Sequence, residues 1–230
     1  MRDNKEEQKM AEMGLNFQDW DDFFEKIPFT FFMTAQIQKK YIETIKKYTP
    51  ENGKLLEIAG GSGYTSVVVQ DVVRVKNAKV TYTDLEKSLT KRVEETFGKI
   101  SGLSYQAEDA SKLSFADDSY DVVFHQGFLE HFDDEDIVEF LKEQARVAKV
   151  IVFDVPNGRR WDKTQEFGNE RFLSHEEWMN IAKQAGLVVH EDTARRFSNF
   201  WKDWVPVVIR DSEWFHRNFG ESSIIVCGKE

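Results

Sequence analysis

One cysteine, Cys227, stands in 230 residues. A single thiol closes no internal disulfide, so the chain reads as a protein of a reducing compartment, the cytoplasm. No apolar run approaches the roughly 18 residues of a membrane-spanning helix, and the opening MRDNKEEQKM is too charged for a secretory signal. Positive charge is short as well. The 31 Lys and Arg against 41 Asp and Glu leave a formal charge of −10, with no basic block of five or more. Such a chain repels a phosphate backbone, which argues against nucleic acid as a partner. Internal repeats and low-complexity linkers are also missing, and the length suits one α/β domain with a sizeable core.

What is present alternates between strand and helix patterns. Residues 15–33 are dense in aromatics. Thr34 reads as a helix N-cap, and Ile37, Tyr41, Ile45 and Tyr48 recur on one face until Pro50 and Gly53 stop the helix. KLLEI (54–58) reads as a buried strand and 64–74 as a helix. AKVTYTD (78–84) is a strand, 87–97 a helix ended by Gly98, and LSYQA (103–107) and YDVVF (120–124) are strands. Residues 134–147 form a helix with Asp133, Asp134, Glu135 and Asp136 at its start and Lys142 and Arg146 toward its end, as the macrodipole favours. VIVFDV (150–155) follows. Ser174 to Glu177 spells a capping box, Trp178, Ile181, Ala182 and Ala185 share a face, and Gly186 ends that helix. LVVH (187–190) and SSIIVC (222–227) close the series. The alternation predicts a doubly wound, mostly parallel sheet with helices on both faces. Ligands of such sheets bind beyond the carboxyl ends of the strands, near the switch point, which points to the loops starting at Glu57, Asp84, Ala107, Phe124 and Asp154.

The densest signal is LLEIAGGSGYTS (55–66). A triphosphate-binding loop requires Gly-Lys-Ser/Thr, which is absent here. A dinucleotide loop requires G-x-G-x-x-G. Gly61-Ser62-Gly63 supplies the first half, but Ser66 occupies the third position, and no tyrosine carries a lysine four residues on. An acid at the strand end suits a ligand with a positive centre better than a phosphate. Asp84 ends the second strand about 27 residues after Glu57, near the spacing expected of an acid that bonds ribose hydroxyls.

Glu57-Ile58-Ala59-Gly60-Gly61-Ser62-Gly63 resembles motif I of the class I S-adenosylmethionine-dependent methyltransferases, and SYDVVFHQGFLEHFDDED (119–136) resembles a stretch of their ubiquinone-biosynthesis-like, small-molecule branch. RFLSHEEWMNIAKQAGLVV resembles the segment before that family's sixth strand. The resemblance covers roughly residues 50–192. It implies a Rossmann-like, seven-stranded sheet with an antiparallel last strand, and S-adenosylmethionine as cofactor. It implies Glu57, Ala59, Gly61, Gly63, Asp84, Leu85 and Gln126 at that cofactor, with Asp109 accepting from the adenine amino group and the Ala110 backbone reading the ring. Ala59 stands where the family has its first glycine, and its methyl group is expected to fit if φ stays negative.

Methyl transfer from a sulfonium asks mainly for positioning, worth on the order of 7–11 kcal/mol. A hydroxyl acceptor also needs a base, for which His125, just past the fourth strand, and His131 are the candidates. His175 is expected on the surface. A metal-assisted mechanism would draw on Asp154 and Asn157, which read instead as part of a Pro-Asn-Gly turn, so no metal is expected. The expected layout is one domain. Residues 1–50 form an aromatic helical cap whose Trp20, Phe24, Phe29 and Phe32 face a small-molecule acceptor. Residues 51–192 form the cofactor core, and 193–230 the last crossover, rich in Trp and Arg, and the final strand. Three other readings remain: a protein or nucleic-acid methyltransferase, though the Asn/Asp-Pro-Pro-Tyr/Phe motif is absent after YDVVF; an NAD-dependent oxidoreductase; and a non-catalytic binding module of the same fold. Oligomeric state is left unassigned.

Overall fold

A computed structural model of the chain describes residues 38–158, 170–195 and 222–229. Helix α1 (Lys39–Tyr48) buries Tyr41, Ile42 and Ile45, and Pro50 stops it after Thr49. Thr34, Ile37 and the aromatic segment lie outside the described residues, as do 196–221. The strands are β1 (Lys54–Glu57), β2 (Lys79–Asp84), β3 (Leu103–Ala107), β4 (Tyr120–Gln126), β5 (Ala148–Pro156), β6 (Val188–Arg195) and β7 (Ser222–Gly228). The remaining helices are α2 (Tyr64–Val73), α3 (Lys87–Phe97), α4 (Asp134–Val147) and α5 (His175–Gln184). The capping box closes at Ser174 and Glu177, and the Asp133 carboxylate caps α4 by accepting from the Asp136 N–H. Among the described residues no helix is long and apolar enough to cross a membrane.

All seven strands form one sheet in the order β3-β2-β1-β4-β5-β7-β6. β1 to β5 pair in parallel, and β7 runs antiparallel to both β5 and β6. The order reverses between β1 and β4, which places the crevice of a doubly wound sheet beyond Glu57 and Gln126. One face carries α1 and α2 on Leu55, Val80, Val122, Phe124, Ile224 and Val226, with α3 on Tyr82 beside them. The other face carries α4 and α5 on Ile151, Phe153, Ile225 and Cys227. Cys227 is therefore core, its thiol pushed up to about 12 by burial.

β4 continues two residues beyond the expected end, through His125 and Gln126. Side chains alternate across a strand, so this extension decides which of the two faces the crevice.

Candidate functional site

The glycine loop joins β1 to α2 through three left-handed residues at alternate positions. Ala59, Gly61 and Gly63 all have positive φ, at 51°, 52° and 76°. The condition set for a methyl group at Ala59 is not met: the alanine sits in the left-handed region, which costs an L-residue roughly 1–2 kcal/mol. Two glycines are required by space. A Cβ at Gly60 would lie 2.4 Å from the Tyr82 ring, and one at Gly63 would lie 2.4 Å from Val93 of α3. β2 braces the loop: the Gly60 N–H donates to the Thr83 carbonyl at 2.9 Å, and the Tyr82 hydroxyl donates to the Gly61 carbonyl at 2.9 Å. Tyr82 and Thr83 carry no signal of their own in the sequence, because nothing distinguishes them from other buried strand residues.

Polar groups meet this loop from the sheet. Glu57 is 3 % exposed, and the Ser66 hydroxyl in α2 donates to its Oε2. Burial pushes the Glu57 carboxyl up to about 8, against the opposing Ser66 hydrogen bond and with help from the Asp84 charge. Ser66, at the third glycine position of a dinucleotide loop, is thus the acid's partner. The Asp84 carboxylate accepts from the backbone N–H groups of Gly61 at 3.1 Å and Glu86 at 3.2 Å. Burial lifts it to about 6 against those donors. Gln126 donates from Nε2 to Asp154 Oδ2 at 2.8 Å, and Ser222 donates to Asp154 Oδ1 at 2.8 Å.

Strand register orders these groups. Glu57 is level with Phe124, and Gln126 with Asp154. By alternation Asp84, Glu57, Gln126 and Asp154 share the α1–α2 face with Val80, Leu55, Phe124 and Val152. They form an acid-and-amide row across the carboxyl ends of β2, β1, β4 and β5. The sequence pointed to each strand end but gave no partner for Asp154. Asp109 begins the loop after β3, where its Oδ1 accepts from both the N–H and the hydroxyl of Ser111. Ala110 packs half-buried against the cluster that holds Leu56, Leu113 and Val123, and Leu85, next to Asp84 in the chain, is half-buried.

His125 does not join the row. It falls on the opposite face, fully buried, stacked at 5.6 Å on Phe153 and edge-on at 5.4 Å to Phe128. Neither ring nitrogen has a hydrogen-bond partner, and burial drives its pKa down to about 3. The Gln144 amide opposes that drop without closing a hydrogen bond. A ring so enclosed is packing, which corrects its reading as a site-lining base. His131 ends a one-turn 3-10 helix, Leu129–His131, after β4 and is 8 % exposed. His175 is half-buried rather than free on the surface, its Nδ1 2.7 Å from Ser223 Oγ and its Nε2 2.7 Å from Asp192 Oδ2. Asn157 is buried and donates to Ser223 Oγ at 3.4 Å. Among the described residues no group of three His, Cys, Asp or Glu could hold a metal ion. Trp20, Phe24, Phe29 and Phe32 lie outside the described residues. A cavity of about 420 Å³ opens at the amino ends of β1 to β3, beside Lys54 and Lys79, away from the row.

A family model described as a methyltransferase domain matches residues 55–150, the span from β1 through α4. No curated protein matches the sequence. Solved structures with the same fold include an Aquifex aeolicus S-adenosylmethionine-dependent methyltransferase, 16% identical with a TM-score of 0.64, covering 93% of this chain and 97% of that one. A Haloferax volcanii methyltransferase in complex with the activator Trm112 is 18% identical, with a TM-score of 0.63 over 91% and 96%. The magnesium protoporphyrin IX methyltransferase of Synechocystis with bound S-adenosylmethionine is 12% identical, with a TM-score of 0.61 over 100% and 99%. Residues 55–150 thus match a methyltransferase domain, set in a seven-stranded fold that the chain shares with S-adenosylmethionine-dependent methyltransferases.

Proposed function

We propose that the chain transfers the S-adenosylmethionine methyl group to a nitrogen or oxygen of a small molecule. The observation that carries this reading is the row Asp84, Glu57, Gln126, Asp154 beside the glycine loop. Carboxylates and an amide suit a ligand bearing a sulfonium and an ammonium, whereas a phosphate site calls for N–H donors or cations. In this reading Asp84 accepts from the ribose hydroxyls, and Asp109 with the Ala110 backbone meets the adenine. Glu57, Leu85, Gln126 and the loop of Ala59, Gly61 and Gly63 enclose the rest. The acceptor lone pair attacks the methyl carbon in line. The bound cofactor would supply an activated methyl group, its sulfur keeping the electron pair of the carbon–sulfur bond, and the acceptor's proton would leave to water or a base. With His125 packed in the core, His131 is the histidine retained as that base for a hydroxyl acceptor; an amine arriving neutral needs none. Trp20, Phe24, Phe29 and Phe32 are proposed to cover the acceptor.

A formal charge of −10 favours a small acceptor over a nucleic acid, and the Synechocystis neighbour is named for a small-molecule acceptor. The test is S-adenosylhomocysteine release from S-adenosylmethionine with panels of small amines, phenols and carboxylates, run beside protein and RNA preparations. Release with a small molecule supports the reading. Methyl incorporation into macromolecules alone overturns it.

A further inference from the structure

Asp154 is 1 % exposed and sits on β5 level with Gln126 of β4. Both of its carboxylate oxygens are engaged, Oδ2 by the Gln126 amide and Oδ1 by the Ser222 hydroxyl on β7, each at 2.8 Å. The main chain also ties β4 to β5 here: the Gly127 N–H donates to the Asp154 carbonyl at 3.3 Å, where Gly127, at φ +65°, turns the chain off β4. The end of the Gln126 amide that faces the carboxylate is the nitrogen, which donates where the carboxylate oxygen accepts. The amide oxygen is thereby turned away from β5.

We propose that Asp154 is a positioning residue for the cofactor: by holding Gln126 through its amide nitrogen, it presents the Gln126 carbonyl oxygen to the cationic amino-acid end of S-adenosylmethionine. This rests on the reading of Gln126 as a cofactor residue. Ser222 anchors Asp154 from the other side, so the orientation of one amide at the switch point is set across three strands. A glutamine free to rotate would offer either N–H or C=O to the ligand. One clamped by a buried acid offers a fixed acceptor, and an ammonium group is bound by acceptors.

The test measures binding of two ligands by calorimetry: S-adenosylhomocysteine, which carries the amino-acid end, and 5′-methylthioadenosine, which lacks it. Asp154→Asn replaces one acceptor oxygen by a donor and removes the constraint on the amide. It is expected to weaken S-adenosylhomocysteine about tenfold while changing 5′-methylthioadenosine by less than about twofold. Gln126→Ala is expected to show the same pattern, and the double variant to be no weaker than Gln126→Ala alone, since the two residues act as one unit. Losses that are equal for both ligands, or that multiply in the double variant, reduce Asp154 to a tie between β5 and β7 and overturn the proposal. Should Asp154→Asn not fold, Ser222→Ala loosens the same carboxylate from β7 and is read by the same ligand pair. A wild-type chain that binds neither ligand overturns the cofactor reading itself and the proposal with it.

Discussion

Replacing Glu57 by glutamine keeps the shape and an acceptor for the Ser66 hydroxyl but removes an ionisable group from a site that is 3 % exposed. In the folded chain without ligand that carboxyl titrates at about 8, against an ordinary 4.5, because burial disfavours its charged form. The folded state therefore holds one proton more than the unfolded state across the window from 4.5 to 8. Its stability falls as pH rises through that window, by about 1.4 kcal/mol per unit. At pH 7, 2.5 units above the ordinary value, the loss is about 3 kcal/mol. Glutamine has no such term. Glu57→Gln is thus expected to match the wild type near pH 4.5 and to exceed it increasingly toward pH 8. In a domain of this size the gap at pH 7 corresponds to roughly 6–12 °C of melting temperature. Melting curves of both proteins at half-unit steps from pH 4.5 to 8.5 read this directly, and parallel curves would mean that Glu57 is hydrated and ionised throughout.

The same proton links stability to binding. If the cationic cofactor requires the Glu57 anion, loading expels the proton, and affinity rises with pH until it levels off near 8. Calorimetry in buffers of differing ionisation enthalpy counts the proton released at pH 7. Glu57→Gln is expected to bind S-adenosylmethionine more weakly and with no such release. A variant that is more stable and binds less well is the signature of an acid kept buried for its ligand.

Three further outcomes are expected. Ala59→Gly relieves a left-handed alanine worth roughly 1–2 kcal/mol but adds about 0.4–1 kcal/mol of unfolded-state entropy, so stability rises by about 0.5–1 kcal/mol; a fall in denaturant midpoint refutes the strained loop. Asp84→Ala removes an acceptor of charge-assisted hydrogen bonds worth about 1.5–3 kcal/mol, so S-adenosylmethionine affinity drops at least about tenfold while the chain stays folded; unchanged affinity removes Asp84 from the site. His125→Phe keeps the stack on Phe153 and leaves cofactor affinity within about twofold by calorimetry, and an equilibrium titration with acid shows what else it changes. With its pKa held near 3 against an ordinary 6.5, His125 contributes stability that is lost as pH falls below 6.5. The variant is therefore expected to resist acid better, and loss of cofactor binding would restore His125 to the site.

The fold was legible because its signals are local and agree with one another. The helix at 87–97, the strand at 103–107, the α4 charge gradient and the Ser174 capping box each rest on residues within one element, and all appear with the expected bounds. Asp84 was legible as the end of β2 for the same reason. What was not legible depends on partners from distant strands. Tyr82 and Thr83 brace the glycine loop from β2, Ser222 reaches Asp154 from 68 residues away, and His175 is held by Ser223 and Asp192 rather than by solvent. Local pattern does not encode which of two backbone conformations Ala59 takes either, because the surrounding braces set it.

His125 shows how a two-residue error in a strand end becomes an error in function. With β4 ending at Phe124, the next residues belong to a loop and any of them can face the ligand. With β4 continuing to Gln126, alternation assigns them to opposite faces: Phe124 and Gln126 to the side of α1 and α2, His125 to the side of α4 and α5. The titratable ring that invites a catalytic role is then the one side chain in the pair that cannot meet the crevice, and the neutral amide is the one that can. The extension is not arbitrary, since Gln126 stays in register with Asp154 and their side chains are joined on the face where Glu57 also lies. The hydrogen bond that orients the amide and the pairing that lengthens the strand therefore support each other. Breaking one at Asp154 tests both, because a β4 that frays at Phe124 would release His125 from its stack and raise its pKa toward the ordinary 6.5, a change that histidine resonances followed by NMR titration of the Asp154→Asn variant report independently of any ligand.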